Sequence, residues 1–144
     1  MNSFSGAFIT VISGVLVYIL GQLFDEYYLK PIREYKQLKG KVAYVLTYYA
    51  QYYSNPFRLS ADNAERWENA SEELRKVASE VIAFAQTKPI INFFIPRKKV
   101  LIKVEHDLMY ISNSCFEHGN AQQTAFSNID CRKEIYKLMK IKND

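Results

Sequence analysis

Histidine and cysteine are scarce in this chain, two of each, and their scarcity excludes most metal and nucleophile chemistry. Cys115 and Cys131 stand far apart without metal-ligand spacing, so in a reducing compartment both read as reduced core residues. The five glycines build no phosphate-cradling loop, and neither a GxSxG elbow nor an HExxH pair occurs. His106 and Asp107 are neighbours in sequence and point in different directions on a helix, which is poor geometry for a dyad. A helical nuclease of the HEPN type would show Arg, four to six residues, then His. The required places hold Lys99, Val100 and Leu101 before His106, and Ile111, Ser112 and Asn113 before His118. The expectation is a chain with no enzyme activity, cofactor or metal ion. Repeats, low-complexity segments and linkers are missing as well.

Charge is missing from one long stretch. Residues 4–24 read FSGAFITVISGVLVYILGQLF, twenty-one positions without a charged side chain. At about 1.5 Å per residue this makes a helix of roughly 31 Å, close to the hydrocarbon thickness of a bilayer. A buried core helix rarely runs so far without a solvated face. A cleaved signal peptide would need a positive n-region and a small-x-small site, yet Met-Asn-Ser precedes Phe4 and bulky Leu23 and Phe24 end the run. The expected organisation is a transmembrane anchor over 1–24 and a cytoplasmic helical bundle over 25–144. Lys30, Arg33, Lys36, Lys39 and Lys41 follow the anchor, so the positive-inside rule puts the N-terminus outside and the rest in the cytoplasm. That describes a single-pass protein of the bacterial inner membrane.

Within the anchor, Gly6, Thr10, Ser13, Gly14 and Gly21 recur at spacings of three, four and seven along one stripe, with Val17 in the gap. Small residues so spaced let helices approach closely, and Ser or Thr can hydrogen-bond across the contact. The stripe predicts self-association, for packing or for a narrow pore.

The remaining residues, roughly 120, suffice for one modest core. Net charge is +4, a mild excess that suits phosphates or anionic headgroups equally. Tyr27 and Tyr28 suit the headgroup zone, and Pro31 either breaks the helix there or begins the next one. From Ile32 to Tyr53 helix period is carried by Tyr35, Leu38, Val42, Val45, Leu46, Tyr49 and Tyr52. Gly40 within it predicts close packing or a bend. Tyr44, Tyr48, Tyr49, Tyr52 and Tyr53 go right round this helix, so core and subunit contact together are expected to cover them. A second helix, capped by Ser60 or Asp62, carries Trp67, Ala70, Leu74, Val77, Ala78, Val81 and Phe84 inward, and Thr87-Lys88-Pro89 ends it. The segment PIINFFIPRKK, 89–99, either dips apolar residues into the interface or plugs the core. A third helix presents Leu101, Val104, Leu108, Ile111 and Cys115. After a turn at 117–120 the last, about 121–141, presents Ala125, Phe126, Ile129, Ile135, Tyr136 and Leu138. Four helices with short connections predict a small all-α bundle. Two basic groups remain as candidate sites for nucleic-acid or lipid phosphate: Arg97, Lys98, Lys99 and Lys103, and Arg132, Lys133, Lys137 and Lys140.

The anchor, the Tyr-rich helix ending YYAQYYSNP, and the segments ASEELRKVASE, DLMYISNS and KEIYKLMKI resemble small single-span bacterial membrane proteins over nearly the full length. Some of these are effectors of antiphage defence. One is the membrane effector of Hailong systems, which is paired with a nucleotidyltransferase that makes an oligonucleotide. A more distant one is the ring-forming membrane accessory protein of type VI-B CRISPR systems, against which the missing Arg-His motif counts. The resemblance implies a homo-oligomer, tetramer or larger, that forms a channel gated by a single-stranded oligonucleotide. It further implies membrane lipids and a nearby-encoded nucleotidyltransferase as partners. The alternative is a non-conducting, membrane-tethered helical scaffold that binds a protein partner and, through its basic residues, anionic lipid.

Overall fold

The computed structural model describes residues 2–55, 64–87, 93–116 and 120–142, and every regular element among them is helical. Helix α1 is Asn2–Phe24, α2 Lys30–Tyr48, α3 Ala50–Ser54, α4 Ala64–Thr87, α5 Lys98–Ser114 and α6 Ala121–Met139. The expected small all-α bundle is present, and among the described residues one helix near the N-terminus is long and apolar enough to cross a membrane. The expected caps at Ser60 and Asp62, the stop at Lys88-Pro89, Ile90 and Ile91, and the turn around His118 lie outside the described residues.

Between α1 and α2 the chain does not break at Pro31. Residues Asp25–Leu29 form one wide π-helical turn, and the Lys30 N–H reaches back to the Asp25 carbonyl. Proline in a regular helix lacks its N–H and collides with the carbonyl four residues earlier. A wider turn just before it displaces those carbonyls, so the helix runs on. The result is one helical rod from Gly6 to Tyr48, 43 residues, rather than two helices meeting at a break.

The bundle is α2, α4, α5 and α6 with α3 tucked between. Positions at three and four spacing close the core: Leu38, Val42 and Leu46 from α2, Leu74, Val77 and Val81 from α4, and Leu101, Val104, Leu108 and Ile111 from α5. Each such side chain contributes about 1.5–3 kcal/mol when fully buried. The Tyr-rich helix divides at Tyr49, whose ψ of 12° ends α2 and starts α3. Tyr53 is buried, Tyr49 and Tyr52 are half-buried against the core, and Tyr44 and Tyr48 face solvent as a stacked pair. Two expectations fail here. Gly40 has open space where a Cβ would go, so close packing does not explain it. Phe126 is exposed, because α6 turns Asn128, Ile135, Tyr136 and Met139 inward instead.

Polar contacts fix the register. Ser71 and Ser112 pair their hydroxyls at 2.9 Å across α4 and α5. The fully buried Asn128 donates to the Tyr53 carbonyl at 2.7 Å and accepts from Ser114 at 2.6 Å, tying α6 to α3 and α5. At its start α6 is capped by Asn120, whose Oδ1 accepts from the Gln123 N–H. At its end Lys140 takes a left-handed conformation, φ 52°, while the Ile141 N–H bonds the Tyr136 carbonyl at 2.8 Å. This is a Schellman ending with lysine where glycine is usual.

Candidate pore face and basic surface

Among the described residues, helix α1 makes its contacts with the turn that continues it and with no helix of the bundle. From Gly6 to Tyr27 every residue is exposed, and nothing lies within 4 Å of a Cβ built at Gly6, Gly14 or Gly21. Because α1 is one continuous helix, Gly6, Thr10, Ser13, Gly14 and Gly21 share a face about 100° wide. The Thr10 hydroxyl donates to the Gly6 carbonyl at 3.0 Å and that of Ser13 to Ile9 at 2.8 Å. Bonded back in this way, both hydroxyls are satisfied without water.

Where the span ends, carboxylates and cations pair. Lys30 meets Glu26 at 3.0 Å, and Arg33 Nη2 meets both oxygens of Asp25 at 2.9 and 3.1 Å. Eight residues of regular helix overshoot two turns by about 80°. The extra residue held in the π turn absorbs that overshoot and returns Arg33 to the face of Asp25. Both pairs are exposed and add little stability.

The structure sorts the eight candidate phosphate ligands. Lys103 is held by Asp107 at 2.5 Å, Lys133 by Asp130 at 3.2 Å and Lys98 by Gln86 at 2.5 Å. The Arg132 guanidinium lies 5.3 Å above the Tyr136 ring. Arg97, Lys99, Lys137 and Lys140 are exposed and carry no ion pair among the described residues. Two of these, Lys137 and Lys140, line a groove of about 710 Å³ together with Lys36 and Lys39 at the start of α2. Its apolar wall is Ile32, Phe93, Ile95, Val100 and Leu138. The described part of segment 89–99, residues 93–99, therefore divides its roles: Ile95 is buried, while Phe93 is 96% exposed. Sequence reading took Lys36 and Lys39 only as flanking charge. No pattern along the chain links 32–39, 93–100 and 137–140.

The titratable groups that chemistry would use are scattered among the described residues. His106 is exposed, and its Nδ1 stands 3.8 Å from Asp107, too far for a hydrogen bond. Burial pushes the Cys115 thiol up to about 12 and raises that of Cys131 as well, so neither is poised as a thiolate. Among the described residues no group of three His, Cys, Asp or Glu side chains is placed to hold a metal ion. The chain matches no family model, no curated protein and no solved structure. Function therefore has to be argued from the lone span and the charges around the bundle.

Proposed function

We propose that this chain is a non-enzymatic, oligomeric pore effector of the bacterial inner membrane, serving antiphage defence. The N-terminus lies outside and the bundle in the cytoplasm. Four or more spans meet through the Gly6, Thr10, Ser13, Gly14 and Gly21 face. A single-stranded oligonucleotide, supplied by a nucleotidyltransferase encoded nearby, bridges basic residues of several bundles. By preferring one arrangement of the bundles it shifts the population between closed and conducting states. Opening depolarises the membrane and arrests growth. The observation that carries this reading is α1 itself: an uncharged helix of membrane length whose small-residue face meets nothing among the described residues. The resemblance to defence effectors supports the ligand and the outcome.

Conductance of the purified protein in a planar bilayer, with and without short single-stranded oligonucleotides, tests it. Discrete currents altered by the oligonucleotide are expected, and Gly14→Leu or Thr10→Leu should abolish them. Each phosphate neutralised on a single strand contributes about −0.7 to the slope of log affinity against log salt. The four predicted cations left unpaired thus give a slope of at most about −3 per subunit. Affinity indifferent to salt would remove the oligonucleotide from the proposal.

A second reading has an observation of its own. Tyr44 and Tyr48, stacked at 5.4 Å on the bundle surface, suit a protein partner, as does a tether that conducts nothing. Silence from protein shown to be inserted and oligomeric would establish that reading instead.

A further inference from the structure

The groove between the start of α2, the 93–96 segment and the end of α6 has a composition that selects its occupant. Four lysines line it, Lys36, Lys39, Lys137 and Lys140, with no Asp or Glu among the lining residues. Its wall is apolar, and Phe93 is left almost wholly to solvent. A soluble anion would satisfy the lysines and leave the apolar wall wet. A neutral apolar ligand would do the reverse. An amphiphile with an anionic head satisfies both.

Position points to the same occupant. The rod is continuous from α1 into α2, so Ile32 lies eight residues beyond Phe24, about 12 Å along the axis. The headgroup layer is itself about 5–8 Å deep on each side. Lysine stems and the Phe93 ring reach across the few ångströms that remain. The cations closer to the span are already paired, Lys30 with Glu26 and Arg33 with Asp25. Among the described residues, the groove lysines are therefore the first positive charges beyond the paired Lys30 and Arg33 that no carboxylate compensates.

Lys140 adds an independent sign. It occupies a left-handed position, φ 52°, where glycine would be unstrained. A lysine kept in a conformation that disfavours it, on the rim of a groove, is the kind of local strain that functional sites carry. Lys39 also donates to the Lys140 carbonyl, so the rim is braced from α2.

We infer that this groove binds the headgroup and upper acyl chain of an anionic phospholipid from the adjoining leaflet. Binding there would hold the bundle close to the membrane and fix its tilt. The inference rests only on α1 entering a membrane, which incorporation of the chain into nanodiscs reports separately.

Full-length protein in nanodiscs of phosphatidylcholine and phosphatidylglycerol, three to one, is released into native mass spectrometry, and the retained lipids are identified. The wild-type chain should retain phosphatidylglycerol well above its share of the bilayer. At about fivefold per lysine near an anionic surface, Lys36→Gln/Lys137→Gln/Lys140→Gln should lower that enrichment at least tenfold. Arg66→Gln/Arg75→Gln/Lys76→Gln, the same charge change on exposed residues of α4, should keep it. Lys140→Gly separates binding from folding: it should raise the urea midpoint while lowering enrichment several-fold. No enrichment in the wild type, or equal loss in the two triple variants, would overturn the inference. So would a decathymidylate that binds in phosphatidylcholine-only nanodiscs through the same lysines when phosphatidylglycerol is not enriched, since the groove would then serve a soluble polyanion.

Discussion

Replacing Asn128 by alanine should cost more than its single-residue size suggests. The side chain is fully buried, and three elements depend on it. Its amide donates to the Tyr53 carbonyl at 2.7 Å. That carbonyl sits at the end of α3, where the chain leaves the helix at Asn55 and last-turn carbonyls have no partner within the helix. Without the amide it is a buried, unpaired acceptor, at a cost of about 1–3 kcal/mol. Ser114 loses its 2.6 Å acceptor but keeps the Ile111 carbonyl at 2.8 Å, so only the net worth of one bond disappears, about 1 kcal/mol. The small void left behind adds less than about 1 kcal/mol. Together, Asn128→Ala should destabilise the chain by about 2–4 kcal/mol. Urea unfolding of the full chain in micelles measures this, read by helical circular dichroism. The fluorescence of Trp67, which packs edge-on against Tyr52 at 4.8 Å, gives a second probe. Asn128→Asp keeps the acceptor and loses the donor. Burial raises the pKa of the new carboxyl, so its deficit should be large at pH 7 and shrink as pH falls. A loss below about 0.5 kcal/mol for Asn128→Ala would refute the view that this residue joins α3, α5 and α6.

Two other outcomes are expected. Lys103→Ala strips the cation hydrogen-bonded to Asp107, a carboxylate whose side chain is 3% exposed and whose Oδ2 has no hydrogen-bond partner among the described residues. It should cost about 1–3 kcal/mol in urea, discounted for the half-exposed lysine, whereas Lys133→Ala at an exposed pair should stay within about 0.5 kcal/mol; equal effects would contradict the burial argument. Burial pushes the phenols of Tyr35 and Tyr53 from 10.0 up to about 12, so the unfolded chain releases these protons first. Their stabilisation is complete below pH 10 and is lost as pH rises through 12, and Tyr53→Phe should flatten that decline in a pH series of urea midpoints.

The bundle was legible because burial followed helical period. Leu38, Val42, Val45 and Leu46, then Leu74, Val77, Ala78 and Val81, then Leu101, Val104, Leu108 and Ile111 repeat at three and four, and all are buried. In α6 the pattern misleads. Its apolar residues do not mark a single face, and the inward position at 128 is a polar residue that earns burial through its hydrogen bonds, leaving Phe126 outside. Pro31 was recognised as a disturbance, but composition does not reveal that a π turn upstream would absorb it. The candidate site was half visible. Lys137 and Lys140 stand out as terminal charge, yet their convergence with Lys36, Lys39 and Phe93 comes from tertiary packing of three segments that lie far apart in the chain.

The π turn carries a consequence for any coupling between membrane and bundle. A broken chain at Pro31 would let the span rotate independently of α2, and events at the basic surface would not reach it. A continuous rod passes rotation and tilt on. The rotational phase of the rod is set in residues 25–29, where one extra residue is stored and where Arg33 grips Asp25 across eight positions. One residue more or less in a regular helix turns everything beyond it by about 100°, which equals the whole width of the small-residue face. The π turn therefore decides which side of α1 a given face of the bundle looks along. A movement of stored slack by a single residue would exchange the Gly6–Gly14 face for the bulky side of the helix. That makes Asp25–Leu29, rather than the apolar run or the bundle core, the segment through which a bound headgroup or oligonucleotide would have to act on the span.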